Sequence, residues 1–103
     1  MERDLKQYYF VMLTKGPNCN QDSATLAQLQ AGHLANIDNM KEQGKLLVAG
    51  PFGDDGDWRG ILIFDVATRE EVEKLLKGDP AIQAGRLAYS IHPWLTTKGG
   101  SFK

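Results

Sequence analysis

The stretch KLLVAGPFGDDGDWRGILIFDV, residues 45–66, decides the fold. Two apolar runs, Lys45 to Ala49 and Arg59 to Val66, flank the turn-forming segment Gly50-Pro51-Phe52-Gly53-Asp54-Asp55-Gly56-Asp57. Runs of this kind, bounded by Gly, Pro and Asp, read as two consecutive strands joined by a hairpin connection. The second of them is apolar on both alternating sets, Ile61 and Ile63 against Leu62 and Phe64.

Toward the N-terminus, Gln7 to Leu13 reads as another strand, with Tyr9, Val11 and Leu13 on one side and Tyr8, Phe10 and Met12 on the other. A loop of turn-forming residues, Lys15 to Asp22, leads into a long helix capped by Ser23 or Asp22 and ending at Gly44. Its apolar positions Leu26, Leu29, Ile37 and Met40 fall on one stripe at helical period, and His33 lies in the middle of that stripe. Toward the C-terminus, Thr68-Arg69-Glu70-Glu71 is a capping box for a second helix, which carries Val72, Leu75 and Leu76 and stops at Gly78. Asp79-Pro80 opens a short helical turn that ends near Gly85, with Asp as cap and Pro at the first helical position. Arg86 to Ile91 is the last strand, closed by His92-Pro93-Trp94. Residues 98–103 are expected to be a loose tail behind a single domain over residues 1–97. The order β-α-β-β-α-β is the split βαβ, or ferredoxin-like, pattern of an α+β domain, here with an extra short helix before the last strand.

Two helices cover one face of a four-stranded sheet, and one-sided burial normally leaves the other face polar. Here both sets of the first and third strands are apolar, so one face would stay wet unless a partner covered it. The simplest partner is a second copy, sheet against sheet, in a homodimer. The net charge of −1, with both signs interspersed, sets up no field that would gather nucleic acid or an anionic membrane. No apolar run has the length of a membrane span. The charged start Met1-Glu2-Arg3-Asp4 is unlike a signal peptide, and the one cysteine, Cys19, has no internal partner for a disulfide. These features lead to the expectation of a cytoplasmic protein.

His33 stands where the helix stripe calls for leucine, so its ring is expected between helix and sheet. It reads either as a core histidine satisfied by a backbone partner or as a general acid/base. Asp79 reads as a plain helix cap, but a carboxylate has two oxygens, and the second can orient an imidazole brought beside it. His92, with Pro93 and Trp94, reads as a strand end or as the rim of a pocket. Asp54, Asp55 and Asp57 with Gly56 lack the spacing and terminal glutamate of a calcium loop, and Cys19 sits in a loop with no activating group beside it in sequence. Neither a metal-ligand spacing nor a phosphate-binding glycine motif is present, so no metal or cofactor is expected.

Several segments together resemble the YCII-related (YciI-like) family. They are His33-Leu34-Ala35-Asn36-Ile37, Gly44 to Phe52, Arg59-Gly60-Ile61, Gly78-Asp79-Pro80-Ala81, and Ala84-Gly85-Arg86-Leu87 running on to His92-Pro93-Trp94. The resemblance implies a dimeric α+β barrel with a ferredoxin-like protomer. It also implies an active-site dyad made of the histidine on the first helix and the aspartate of the Asp-Pro motif, here His33 and Asp79. His92, Trp94, Pro51, Phe52 and Arg59 stand within the resembling segments and are expected to bind substrate. One branch of the family resembles lyases that remove chloride from chlorinated hydroxyhydroquinones; other members are fused to transcription-factor domains, and none is expected here. Two functions follow. The first is an enzyme moving a proton in an elimination or isomerisation of a small aromatic or enolic molecule. The second is a non-catalytic module for small-ligand binding or dimeric interaction. Oxygen chemistry on a bound aromatic, as in other dimeric α+β barrels, rests on fold analogy alone.

Overall fold

The computed structural model describes residues 4–98. Its elements in chain order are β1 (Leu5–Lys15), α1 (Ser23–Glu42), β2 (Leu46–Pro51), β3 (Trp58–Phe64), α2 (Arg69–Leu76), α3 (Pro80–Gln83) and β4 (Leu87–Thr97). The strands form one sheet in the order β2-β3-β1-β4, each neighbouring pair antiparallel. This is the ferredoxin-like α+β arrangement that the element order predicts. Most of the expected tail, residues 99–103, lies outside the described residues. The N–H of Lys98, the first residue of that tail, donates to the Asp4 carbonyl at 3.0 Å.

Local chemistry sets the helix ends. Asp22, rather than Ser23, caps α1 by accepting from the Thr25 N–H at 2.7 Å, a bond that holds the Asp22 carboxyl below its ordinary range. At the other end, Gly44 at φ 75° lets its own N–H reach the Lys41 carbonyl and the Lys45 N–H reach the Met40 carbonyl. This is the paired C-terminal closure that a left-handed residue permits. Thr68 Oγ1 accepts from the Glu71 N–H at 3.2 Å, as the capping box predicts. The Glu71 carboxylate pairs with Lys45 Nζ at 3.2 Å, linking α2 to the start of β2.

The core lies between the sheet and the helices. Val11, Leu13, Leu46, Leu62, Phe64 and Ile91 from the strands meet Met40, Val72 and Leu76 from α1 and α2. On the opposite face, the register places Phe10 beside His92 and Ile63, and Met12 beside Ile61. The Phe10 ring centroid is 6.4 Å from those of both His92 and Trp94, so this face carries an aromatic cluster.

One expectation needs correction. The strand expected to close at His92-Pro93-Trp94 continues as β4 through Thr97, with Pro93 opposite Tyr9. β4 is an edge strand, and an edge tolerates a proline because its missing N–H removes no ladder bond on the open side. Along the α1 stripe Met40 is buried, while Leu26, Leu29 and Ile37 are half-buried. They line an open cleft between α1 and the sheet.

The loop between β1 and α1 is fastened to the turn before β4. Gly16 donates to the Arg86 carbonyl at 2.8 Å and Asn18 to the Gly85 carbonyl at 2.9 Å. A Cβ on Gly16 would sit 2.2 Å from the Gly85 oxygen and 2.8 Å from the Arg86 carbonyl carbon, both backbone. Gly16→Ala is therefore expected to destabilise the fold by about 3 kcal/mol, the upper end for overpacking. At Gly44 a Cβ meets nothing within 4 Å, so Gly44→Ala costs only its left-handed backbone, about 1–2 kcal/mol. Urea unfolding of the two variants checks this, and equal losses would show that the loop yields to the methyl group. Among the described residues, no helix is long and apolar enough to cross a membrane.

Candidate active site

Asp79 is set in place by the end of α2 and the start of α3. Its N–H donates to the Leu76 carbonyl at 3.0 Å, which closes the α2 end, and its backbone then turns extended at φ −87°, ψ 119°. Pro80 begins α3 with the one residue type that has no N–H to leave unpaired there. Asp79 Oδ1 accepts from the Ala81 N–H at 2.8 Å. The residue is 2% exposed, and a carboxylate so buried is costly unless both oxygens find donors. Its other oxygen, Oδ2, takes its bond from His33 Nδ1.

The helix and the turn approach each other closely at this point. A Cβ on Gly32 would lie 2.7 Å from Pro80 Cγ, so the residues next to His33 and Asp79 are already in contact. With a carboxylate as its partner, His33 Nδ1 carries the proton, which leaves the lone pair of the neutral ring on Nε2. Among the described residues no protein atom hydrogen-bonds Nε2, and no buried side-chain nitrogen or oxygen lacks a partner. The free nitrogen therefore meets the cleft that His33 lines. That cleft has a volume of about 570 Å³, large enough for a small ring compound.

The model of the YCII-related domain matches residues 8–95. The chain belongs to the YCII-related domain family. Among solved structures, this YCII-related chain is similar to 5-chloro-2-hydroxyhydroquinone dehydrochlorinase (TftG) from Burkholderia phenoliruptrix in complex with 2,5-dihydroxybenzoquinone. The TM-score is 0.64 and the identity 23%, over 84% of this chain and 92% of that one. At that identity the likeness is one of fold. A dimeric ferredoxin-like protein from an uncultured marine organism is similar at a TM-score of 0.42 and 11% identity, over 95% of this chain and 99% of that one. A search of curated proteins finds no match.

Within the YCII-related chain, Pro51, Phe52 and Arg59 line the same cleft as His33. By strand alternation Arg59 and Ile61 direct their side chains away from Leu62, and Gly60 between them brings the β3 backbone to the cleft wall. His92 and Trp94 do not join these residues. They lie on the other face of the sheet, where His92 Nε2 hydrogen-bonds Ser90 Oγ at 2.9 Å and Trp94 is 42% exposed. The two-residue period of β4 separates them from the cleft, because their even-numbered positions face opposite to the buried Ile91. Cys19, read from sequence as incidental, also lines the cleft. Its thiol lies 3.4 Å from the Gly16 carbonyl and 3.5 Å from the Arg86 carbonyl, so the S–H is engaged as a donor. Arg86 is a further cleft residue that the sequence reading did not single out. The one local signal for it is its place directly after the Gly85 turn. Among the described residues no three His, Cys, Asp or Glu side chains gather as a metal site would require.

Proposed function

We propose that the chain is a small-molecule enzyme in which His33 and Asp79 transfer a proton during a lyase-like elimination, or an isomerisation, of a small aromatic or enolic substrate. The observation that carries this is the bond from His33 Nδ1 to the buried Asp79 carboxylate, with Nε2 left toward the cleft. In that arrangement Nε2 takes a proton from the substrate. Asp79 keeps the ring in the tautomer that permits this and faces the positive charge that forms on it. Leu26, Leu29, Ile37 and Leu62 on the cleft walls limit water around the reacting atoms. The dehydrochlorinase of similar fold is named for loss of chloride from a hydroxyhydroquinone, and such elimination is a proton-transfer reaction of the proposed class. The test follows chloride release and spectral change from chlorinated hydroxyhydroquinones, alongside thermal shift. Turnover by the native chain supports the reading. Binding without conversion across phenols, quinols and lactones would leave a ligand-binding module instead.

We also propose that two copies pair through the open sheet face, with Phe10, Met12, Ile61, Ile63, His92 and Trp94 between them. A face this apolar, with a 42% exposed Trp94, is of the kind that partners cover. Trp94→Asp and Phe10→Asp, each placing a carboxylate in that face, are expected to convert a dimer to a monomer in sedimentation at micromolar concentration. A monomeric native chain in the same measurement would remove the proposal.

A further inference from the structure

The cleft is not uniform in charge. Lys41 and Arg59 share its lining with Asp38, Asp54 and Asp55, and among the described residues neither cation forms an ion pair. Arg86 stands differently. Ala81 links it to the dyad: the Ala81 N–H donates to Asp79 Oδ1, and the Ala81 carbonyl accepts from the Arg86 N–H at 3.0 Å. Among the described residues Arg86 has no ion-pair partner. Its Nη1 donates to two neutral acceptors, Gln21 Oε1 at 3.2 Å and the Cys19 carbonyl at 3.5 Å. Within the same residues Nε and Nη2 make no hydrogen bond. A guanidinium has five N–H donors and stays charged at any working pH, so this half-buried group keeps both a net charge and spare donors in the cleft wall.

The group is also held in advance of any ligand. The loop from Gly16 to Gln21 grips the Arg86 carbonyl through the Gly16 N–H and the Arg86 side chain through Cys19 and Gln21. The absence of room for a Cβ at Gly16 shows how closely the loop is seated. A charge fixed before binding spares the ligand the cost of ordering it. We propose that Arg86 holds an anionic oxygen of the ligand, so that the cleft takes a small ring or enolic molecule bearing a carboxylate, phenolate or enolate. In naming that molecule as the one His33 deprotonates, the proposal rests on the proton-transfer reading above; the anion site itself does not. The fork of a guanidinium matches a carboxylate in two parallel bonds, which a lysine cannot reproduce.

The test uses the full chain and two matched pairs of probes, salicylate against salicylamide and 4-nitrophenolate against 4-nitroanisole. Affinities are read by NMR titration of the ¹⁵N-labelled protein, following the Arg86 Nε–H and the Ala81 amide. At least one anion is expected to bind about tenfold or more tightly than its neutral mate, and which pair shows the gap identifies carboxylate or phenolate. Arg86→Gln is expected to erase the gap and Arg86→Lys to keep part of it. A merely structural Arg86 would lower the melting temperature in Arg86→Gln and leave the gap unchanged, which overturns the proposal. Equal affinity within both pairs for the native chain, or no measurable binding of either anion, overturns it without any variant. If the gap is absent while His33→Gln still abolishes turnover, Arg86 alone loses its role. If the gap is present and His33→Gln retains turnover, the anion site stands and the proton-transfer reading falls.

Discussion

His33→Ala is expected to lower turnover by about two to four orders of magnitude, the usual loss when a positioned general base is removed. The effect follows from the free Nε2: with Nδ1 committed to Asp79, it is the nitrogen of His33 that can accept a proton from a molecule in the cleft. The alanine variant also strips Asp79 Oδ2 of its donor, and a buried carboxylate left unpaired destabilises a fold. His33→Gln separates the two effects. A glutamine offers an N–H to the carboxylate but no nitrogen that exchanges protons near neutral pH. It should therefore melt close to the native chain and be as inactive as the alanine variant. Single-turnover rates on a substrate the native chain converts, measured beside melting curves, decide the matter. A glutamine variant that turns over normally would strip His33 of its role.

Asp79 yields the second large effect, and there the two obvious substitutions diverge. Asp79→Ala removes the acceptor of the Ala81 N–H as well as that of His33 Nδ1. Leaving such buried donors unpaired costs about 1–3 kcal/mol each, so this variant is expected to lose stability and activity together. Asp79→Asn keeps an oxygen for Ala81 and holds the cap, yet turns an NH₂ toward His33. The neutral ring then accepts at Nδ1 and carries its proton on Nε2, the nitrogen that should have been free. Activity should fall by about two orders of magnitude or more while the fold persists. The tautomer is directly visible in the ¹⁵N shifts of the His33 ring, which should exchange their pattern between the native chain and Asp79→Asn. Full activity in Asp79→Asn with an exchanged tautomer would separate the carboxylate from the chemistry.

These two residues also show where sequence reasoning reaches. The Asp79-Pro80 cap, the Thr68 cap and the helical place of His33 were each readable from a few neighbouring residues, because capping and periodicity are short-range effects. The pairing of His33 with Asp79 spans 46 positions, and nothing local to either residue encodes it. The family resemblance named both, and their contact then depends on how closely Gly32 lets Pro80 approach α1. How deeply the α1 stripe is buried is hidden for the same reason. Leu26, Leu29 and Ile37 have the spacing of a core face, but spacing cannot distinguish a helix laid flat on a sheet from one standing off it. The end of β4 is not encoded locally, because Pro93 ends a central strand but not an edge strand, and edge position belongs to the whole sheet.

By itself, then, the order of apolar runs, caps and turns determined the split βαβ topology, the two-sided strands and the caps of α2 and α3. Each of these depends on residues within a turn or a pleat of one another. Tertiary structure alone decided that α1 leaves a cleft beside the sheet, that Arg86 lines that cleft with no ion-pair partner among the described residues, and that His92 and Trp94 face away from it. Those outcomes depend on how separate elements stack, and the stacking is set by close approaches such as Gly32 on Pro80 and Gly16 on Gly85, between residues far apart along the chain.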